Sequence, residues 1–210
     1  MSRLAVRLAV AAVAVALALA ALAVPARWQS PPRALAQDGS VTWEWLGWSH
    51  FRFTSTTGKV ILINPFVQNP DSPVKVEDIA KADLILPADG HRDEVGSTVD
   101  IAKRTGPRTF HPLELGTWLI EQGGPQQQVV RSNPGGRLRM ESIIVRMVGS
   151  VHGSGLPQQT PTTPYGGPAA GFVISFENGW TVYFAGSTGA TQDQALWAEM
   201  YKPHMAILPT

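Results

Sequence analysis

The chain has 210 residues, with 17 basic and 16 acidic side chains, five histidines and no cysteine. Without cysteine there is no disulfide, no thiolate metal site and no lipid attachment through an N-terminal thiol. Arg3, Arg7, Arg27 and Arg33 fall in residues 1–36, which hold no acid, so the rest carries 13 basic and 16 acidic groups, a net of −3. With no basic block left, a nucleic-acid partner is not expected.

Residues 1–36 read as a signal peptide. Arg3 and Arg7 form a basic n-region, Leu8 to Val24 is an unbroken run of 17 apolar residues, and Ala34-Leu35-Ala36 is a small-residue cleavage pattern before Gln37. The expectation is a secreted or periplasmic protein. The alternative is an uncleaved N-terminal anchor, since about 17 residues is the lower edge for crossing a bilayer, and membrane contact is expected only in that case. Residues 37–210 suit one domain.

Along that domain, 41–46, 51–54 and 60–64 read as strands, with Thr57-Gly58 a turn between the last two. Asn69 to Pro73 is a loop. Lys81–Leu86 ends in a strand, 99–104 carries a short helical pattern stopped by Gly106-Pro107, 108–110 is a strand, and 113–122 is an amphipathic helix closed by Gly123-Gly124. A strong strand over 143–148 precedes a Pro/Thr/Gly loop at 157–168, long enough to act as a flap. Strands at 171–176 and 180–184 flank the hairpin signal Glu177-Asn178-Gly179. A helix at 193–201 and a strand at 205–208 follow. This order suits an α+β fold of two sheets covered by helices, a four-layer αββα sandwich.

Asp89-Gly90-His91-Arg92-Asp93-Glu94 follows the apolar run Leu84-Ile85-Leu86. It places one imidazole and three carboxylates in six residues at the end of a predicted strand, where ligands can converge from one side of a sharp loop. The alternative is a solvated acidic turn, with Asp89 bonding its own backbone and Glu94 solvated or paired with Arg92. His50, His111 and His204 have no ligand partner nearby in sequence and read as structural or surface groups. Trp43, Trp45 and Trp48 read as packing residues, with Trp48 a possible pocket wall.

The motifs together resemble those of metallo-β-lactamase-fold hydrolases, most of all the ascorbate-phosphate-lactonase-like subgroup. The resemblance rests on Thr42–Ser49, Ile61–Phe66, the Ala82–Leu86 lead into the 89–94 loop, Ile101–Gly106, Val151–Gly155, Gly171–Ile174, Tyr183–Thr188 and Tyr201–Pro209, in the family's order. It implies the sandwich and a metal site, but the family pattern is altered. Asp89 and Glu94 stand where the loop has histidines, while His91 and Asp93 match it. Ser187 stands at the bridging aspartate, Trp48 at an early histidine and Asn64 at an aspartate. By the same resemblance the last histidine ligand would fall beyond Thr210, so the fold is expected to be incomplete at its C-terminus.

The resemblance assigns the first ion's positions to Asp89, His91 and His152, with Glu94 a weaker candidate and Ser187 too short to bridge two ions. It therefore implies one divalent ion, zinc or manganese, with Asp93 as general base. The implied function is an exported metal-dependent hydrolase of a small ester, lactone or phosphoester, using metal-activated water on a small-molecule substrate. The alternative is a catalytically inactive relative serving as a binding or structural module. Nothing in the sequence specifies an oligomeric state.

Overall fold

The computed structural model describes residues 39–157 and 162–209; the leader expected at 1–36 lies outside them. The first sheet is six-stranded, in the order β1 (Thr42–Trp45), β2 (Phe51–Thr54), β3 (Val60–Ile63), β4 (Leu84–Leu86), β5 (Arg108–Pro112) and β6 (Val129–Ser132). Its first three strands are antiparallel, and β3 to β6 are parallel. The second sheet contains β7 (Arg137–Met140), β8 (Ile143–Gly149), β9 (Ala170–Ser175), β10 (Thr181–Phe184) and β11 (Met205–Ile207), arranged 11-10-9-8-7.

Alternation of side chains along each strand makes the layers. In β3, Ile61 and Ile63 face the core between the sheets, while Leu62 faces the opposite side. Leu84 and Leu86 repeat this with Ile85 opposed, as do Phe172 and Ile174 against Val173. A period of two is what a pleated strand imposes. Both faces are apolar because both are covered, as expected of parallel strands fed by helical crossovers.

The outer layers are α1 (Arg92–Val95), α2 (Thr98–Thr105), α3 (Leu113–Glu121) and α4 (Gln192–Tyr201). Ile101 of α2 packs on Leu62 and Ile85. Trp197 and Tyr201 of α4 cover Val173 and Tyr183 on the far side of the second sheet. α2 stops at Gly106, whose φ of +71° is the left-handed cap that glycine adopts without strain. The layers are thus helix, sheet, sheet, helix. Among the described residues no helix is long and apolar enough to cross a membrane.

Four elements differ from the sequence expectation. Residues 92–95 form a single helical turn rather than open loop. Strands β6 and β7 were not anticipated, although Arg137-Leu138-Arg139-Met140 alternates exposed and buried residues cleanly. The described part of the 157–168 loop folds back on its own base, with Leu156 N–H donating to Pro164 O at 2.9 Å and Gly166 N–H to Ser154 O at 2.6 Å.

Candidate metal centre and cleft

Three loops meet at one end of the sandwich, following β4, β8 and β10. Asn64, at the end of β3, accepts the Ala88 N–H on Oδ1 at 2.8 Å, and Ala88 O accepts the Ala170 N–H at 2.9 Å, so the β4 exit is tied to both sheets. Gly90 N–H donates to Ser154 Oγ at 3.0 Å, which locks the 89–94 loop to the loop after β8. Val151 N–H donates to Thr188 Oγ1 at 2.8 Å, adding the loop after β10.

The structure brings Asp89, His91 and His152 together. One donor atom from each lies within 4.8 Å of the others, and the two imidazole rings are 5.1 Å apart, edge to face. Asp89 is buried, His91 is half-buried and His152 is exposed, so the cluster has a shielded back and an open front. Asp89 Oδ1 accepts the His91 N–H at 2.8 Å, the local turn foreseen for an aspartate before glycine. The other oxygen, Oδ2, is buried with no hydrogen-bond partner among the described residues.

A buried carboxylate oxygen left unpaired is costly, and burial pushes the Asp89 carboxyl above its usual range. A cation would offset both effects. Two imidazoles and one carboxylate are a donor set that catalytic zinc and manganese sites use, so the residues present fit a divalent ion. Two donors about 2 Å from one ion stand no more than about 4 Å apart, so small side-chain rotations would close the 4.8 Å reach onto a shared ion.

Glu94 is neither solvated nor paired with Arg92, which corrects that expectation. It is 1% exposed and accepts two hydrogen bonds, from Asn64 Nδ2 at 2.7 Å and from Ser187 Oγ at 2.6 Å. Burial, and next the charge of Asp89, raise its pKa to about 8. The Ser187 hydroxyl, at the position of the family's bridging aspartate, bonds this carboxylate. Asn64, with φ of +46°, enters the sequence reading only as a departure at a family aspartate; the structure makes it a partner of Glu94.

A cleft of about 470 Å³ opens beside these loops, a size that suits a small-molecule site. Trp45, Trp48, Phe51 and Phe184 give it aromatic walls, and Asp93 is the charged residue on its lining. Trp43, Trp45 and Trp48 are largely exposed rather than packed in the core. The Trp45 indole N–H donates to Trp48 O at 2.7 Å, and Trp48 stands edge-on to Phe66 at 5.5 Å, which fixes that rim.

The other histidines are not part of the donor cluster. His111 is fully buried, with Nε2 3.0 Å from Thr109 Oγ1 and Nδ1 3.0 Å from Pro112 O. Burial lowers its pKa to about 4. His50 is fully buried and is lowered to about 4 by burial and then by the nearby Arg52 charge. His204 Nδ1 accepts the Thr181 N–H at 3.1 Å.

A sequence profile of the β-lactamase superfamily domain matches residues 59–210. A UPF0173 metal-dependent hydrolase of Koribacter versatilis is 37% identical over 166 residues, covering 79% of this chain and 70% of the relative. One from Rubrobacter xylanophilus is 34% identical over 166 residues, covering 79% and 68%. The chain spans 63–70% of the length of such relatives. Among solved structures, Igni18, a metallo hydrolase from the hyperthermophilic archaeon Ignicoccus hospitalis, superposes with a TM-score of 0.68 at 28% identity over 80% of this chain and 70% of that one. With the two-sheet sandwich and its strand-end loops, these similarities mean that the chain belongs to the metallo-β-lactamase-fold superfamily.

Proposed function

We propose that this chain is a metal-dependent hydrolase that holds one divalent ion, zinc or manganese, on Asp89, His91 and His152 and acts on a small neutral ester or lactone. The observation that carries the reading is the convergence of those three donors, with Asp89 Oδ1 3.2 Å from His91 Nδ1. The names of the relatives, metal-dependent hydrolases, support it. When bound, a divalent ion supplies Lewis-acid polarisation of a substrate oxygen and acidifies water.

The chain's own residues do the rest. Asp89 is held through Oδ1 by the His91 backbone N–H, which fixes the carboxyl beside the His91 imidazole. Asp93 lies on the cleft wall, where its carboxylate can take a proton from a water that enters. The aromatic walls bind the apolar part of a substrate and exclude water. Because the charged group on the lining is an acid, a neutral ester or lactone suits the cleft better than a phosphoester. The leader pattern supports export to the periplasm or beyond.

The test is hydrolysis of a panel of small aryl esters and lactones. A component of turnover should vanish on chelation and return with zinc or manganese. The absence of any chelator-sensitive component would overturn the reading. One observation favours a second reading, an inactive binding module: both Glu94 oxygens are engaged by protein donors, which leaves few ligands beyond the first three. Protein that neither retains metal nor turns over any substrate would support that alternative.

A further inference from the structure

We propose that Ser187, Glu94 and Asn64 form a second, metal-independent acyl-transfer site, with Ser187 as nucleophile, Glu94 as its general base and Asn64 as the group that orients the base. Ser187 lies on the wall of the aromatic cleft and is partly exposed. Its Oγ donates to Glu94 Oε1 at 2.6 Å, while Asn64 Nδ2 donates to Oε2 at 2.7 Å. Asn64 is itself fixed, through Oδ1, by the Ala88 N–H at 2.8 Å.

A nucleophile within hydrogen-bond reach of a base, with the base held by a third group, is the general arrangement of covalent catalysis by a hydroxyl. Two features separate this trio from an ordinary structural hydrogen bond. The base is 1% exposed and sits behind the nucleophile, whereas the hydroxyl fronts a cleft of about 470 Å³. The orienting bond also fixes which carboxylate oxygen faces the serine.

In the step inferred, Ser187 Oγ forms a bond to the acyl carbon of an ester as its proton passes to Glu94 Oε1. The tetrahedral adduct then collapses, the bond from carbon to the leaving oxygen breaks, and the alcohol departs with the proton from Glu94. An acyl-Ser187 remains, which water hydrolyses by the same proton transfers in reverse. The substrate class is a small activated aryl ester, because the aryl group can lie on Trp45, Trp48 or Phe51 and such a leaving group needs little assistance.

The test uses the full chain, stripped of metal with a chelator, at about pH 9 so that a carboxylate base is ionised. The probe is a small alkyl fluorophosphonate, followed by intact mass and peptide mapping. One adduct per chain is expected, on Ser187, at a rate indifferent to the chelator. Glu94→Gln should slow labelling by about 100-fold, the lower range for loss of a general base. Glutamine at 94 can still accept from Asn64 and donate to Ser187, so the tie persists without the base; an unchanged melting temperature checks this. Ser187→Ala should abolish the adduct, together with any chelator-resistant ester turnover. No adduct at Ser187, or equal labelling in a folded Glu94→Gln protein, would overturn the proposal. Either result leaves the chelator-sensitive reading at Asp89, His91 and His152 to its own test.

Discussion

Gly90→Ala isolates the packing that brings the two histidine-bearing loops together. A Cβ at Gly90 would stand 3.1 Å from Ser154 O, 3.2 Å from Leu156 Cδ2 and 3.3 Å from Gly155 O. Two of these neighbours are backbone carbonyls in the loop that follows His152, so no side-chain rotation relieves them. Restoring ordinary contact needs a shift of about 0.3 Å, and overpacking of this kind costs about 1–3 kcal/mol. For a domain of this size the melting temperature should fall by roughly 3–10 °C. The shift also weakens the Gly90 N–H to Ser154 Oγ bond and moves His152 relative to His91, so zinc affinity should fall by about tenfold or more, as when outer supports of a metal site are lost. Gly189→Ala is the matched control, since its Cβ would meet only Val151 O at 3.9 Å. Competition titration with a chromophoric chelator measures affinity, and calorimetry measures melting. Gly90→Ala protein that binds zinc within about twofold of wild type and melts at the same temperature would refute the reasoning.

His111 should destabilise the fold in acid. Its folded pKa of about 4 lies below the unfolded value of 6.5, so the unfolded chain binds a proton that the folded one refuses. Its contribution is intact above pH 6.5 and is lost as pH falls toward 4; about 2 kcal/mol of that loss falls between about pH 7 and pH 5. Urea titrations should show His111→Gln losing about 2 kcal/mol less than wild type over that interval, and identical pH dependence would count against it. Taking the difference cancels the opposite trend from Glu94, whose raised pKa adds stability as pH falls below about 8. Phe172, fully buried between the sheets, should cost about 3–5 kcal/mol when cut to alanine, measured by the same titration. N-terminal sequencing of exported protein should begin at Gln37; an intact Met1 or Ser2 would instead favour the anchor.

The layers were legible because strands such as Ile61-Leu62-Ile63 and Leu84-Ile85-Leu86 are apolar on both faces, which signals cover on both sides. β7 was missed although Arg137-Leu138-Arg139-Met140 alternates, because it is four residues long and opens from a Gly-Gly turn. Asp89 and His91 stood out as neighbours in one loop. His152 entered the set only through the order of motifs, not through spacing. The bonds of Glu94 could not be read from the sequence. Its partners are 30 and 93 residues away, and each residue of the trio is ordinary by itself. Trp45 misled because aromatic residues near a strand usually pack inward, whereas here it walls the cleft beside Trp48, for which the sequence had offered that place.

The central claim is one divalent ion on Asp89, His91 and His152. Elemental analysis of untagged protein, purified after zinc or manganese supplementation, tests it most directly. The account predicts one equivalent per chain, lost in His91→Ala and kept in Glu94→Ala. Two equivalents, equal loss in both variants, or no metal under either supplement would contradict it.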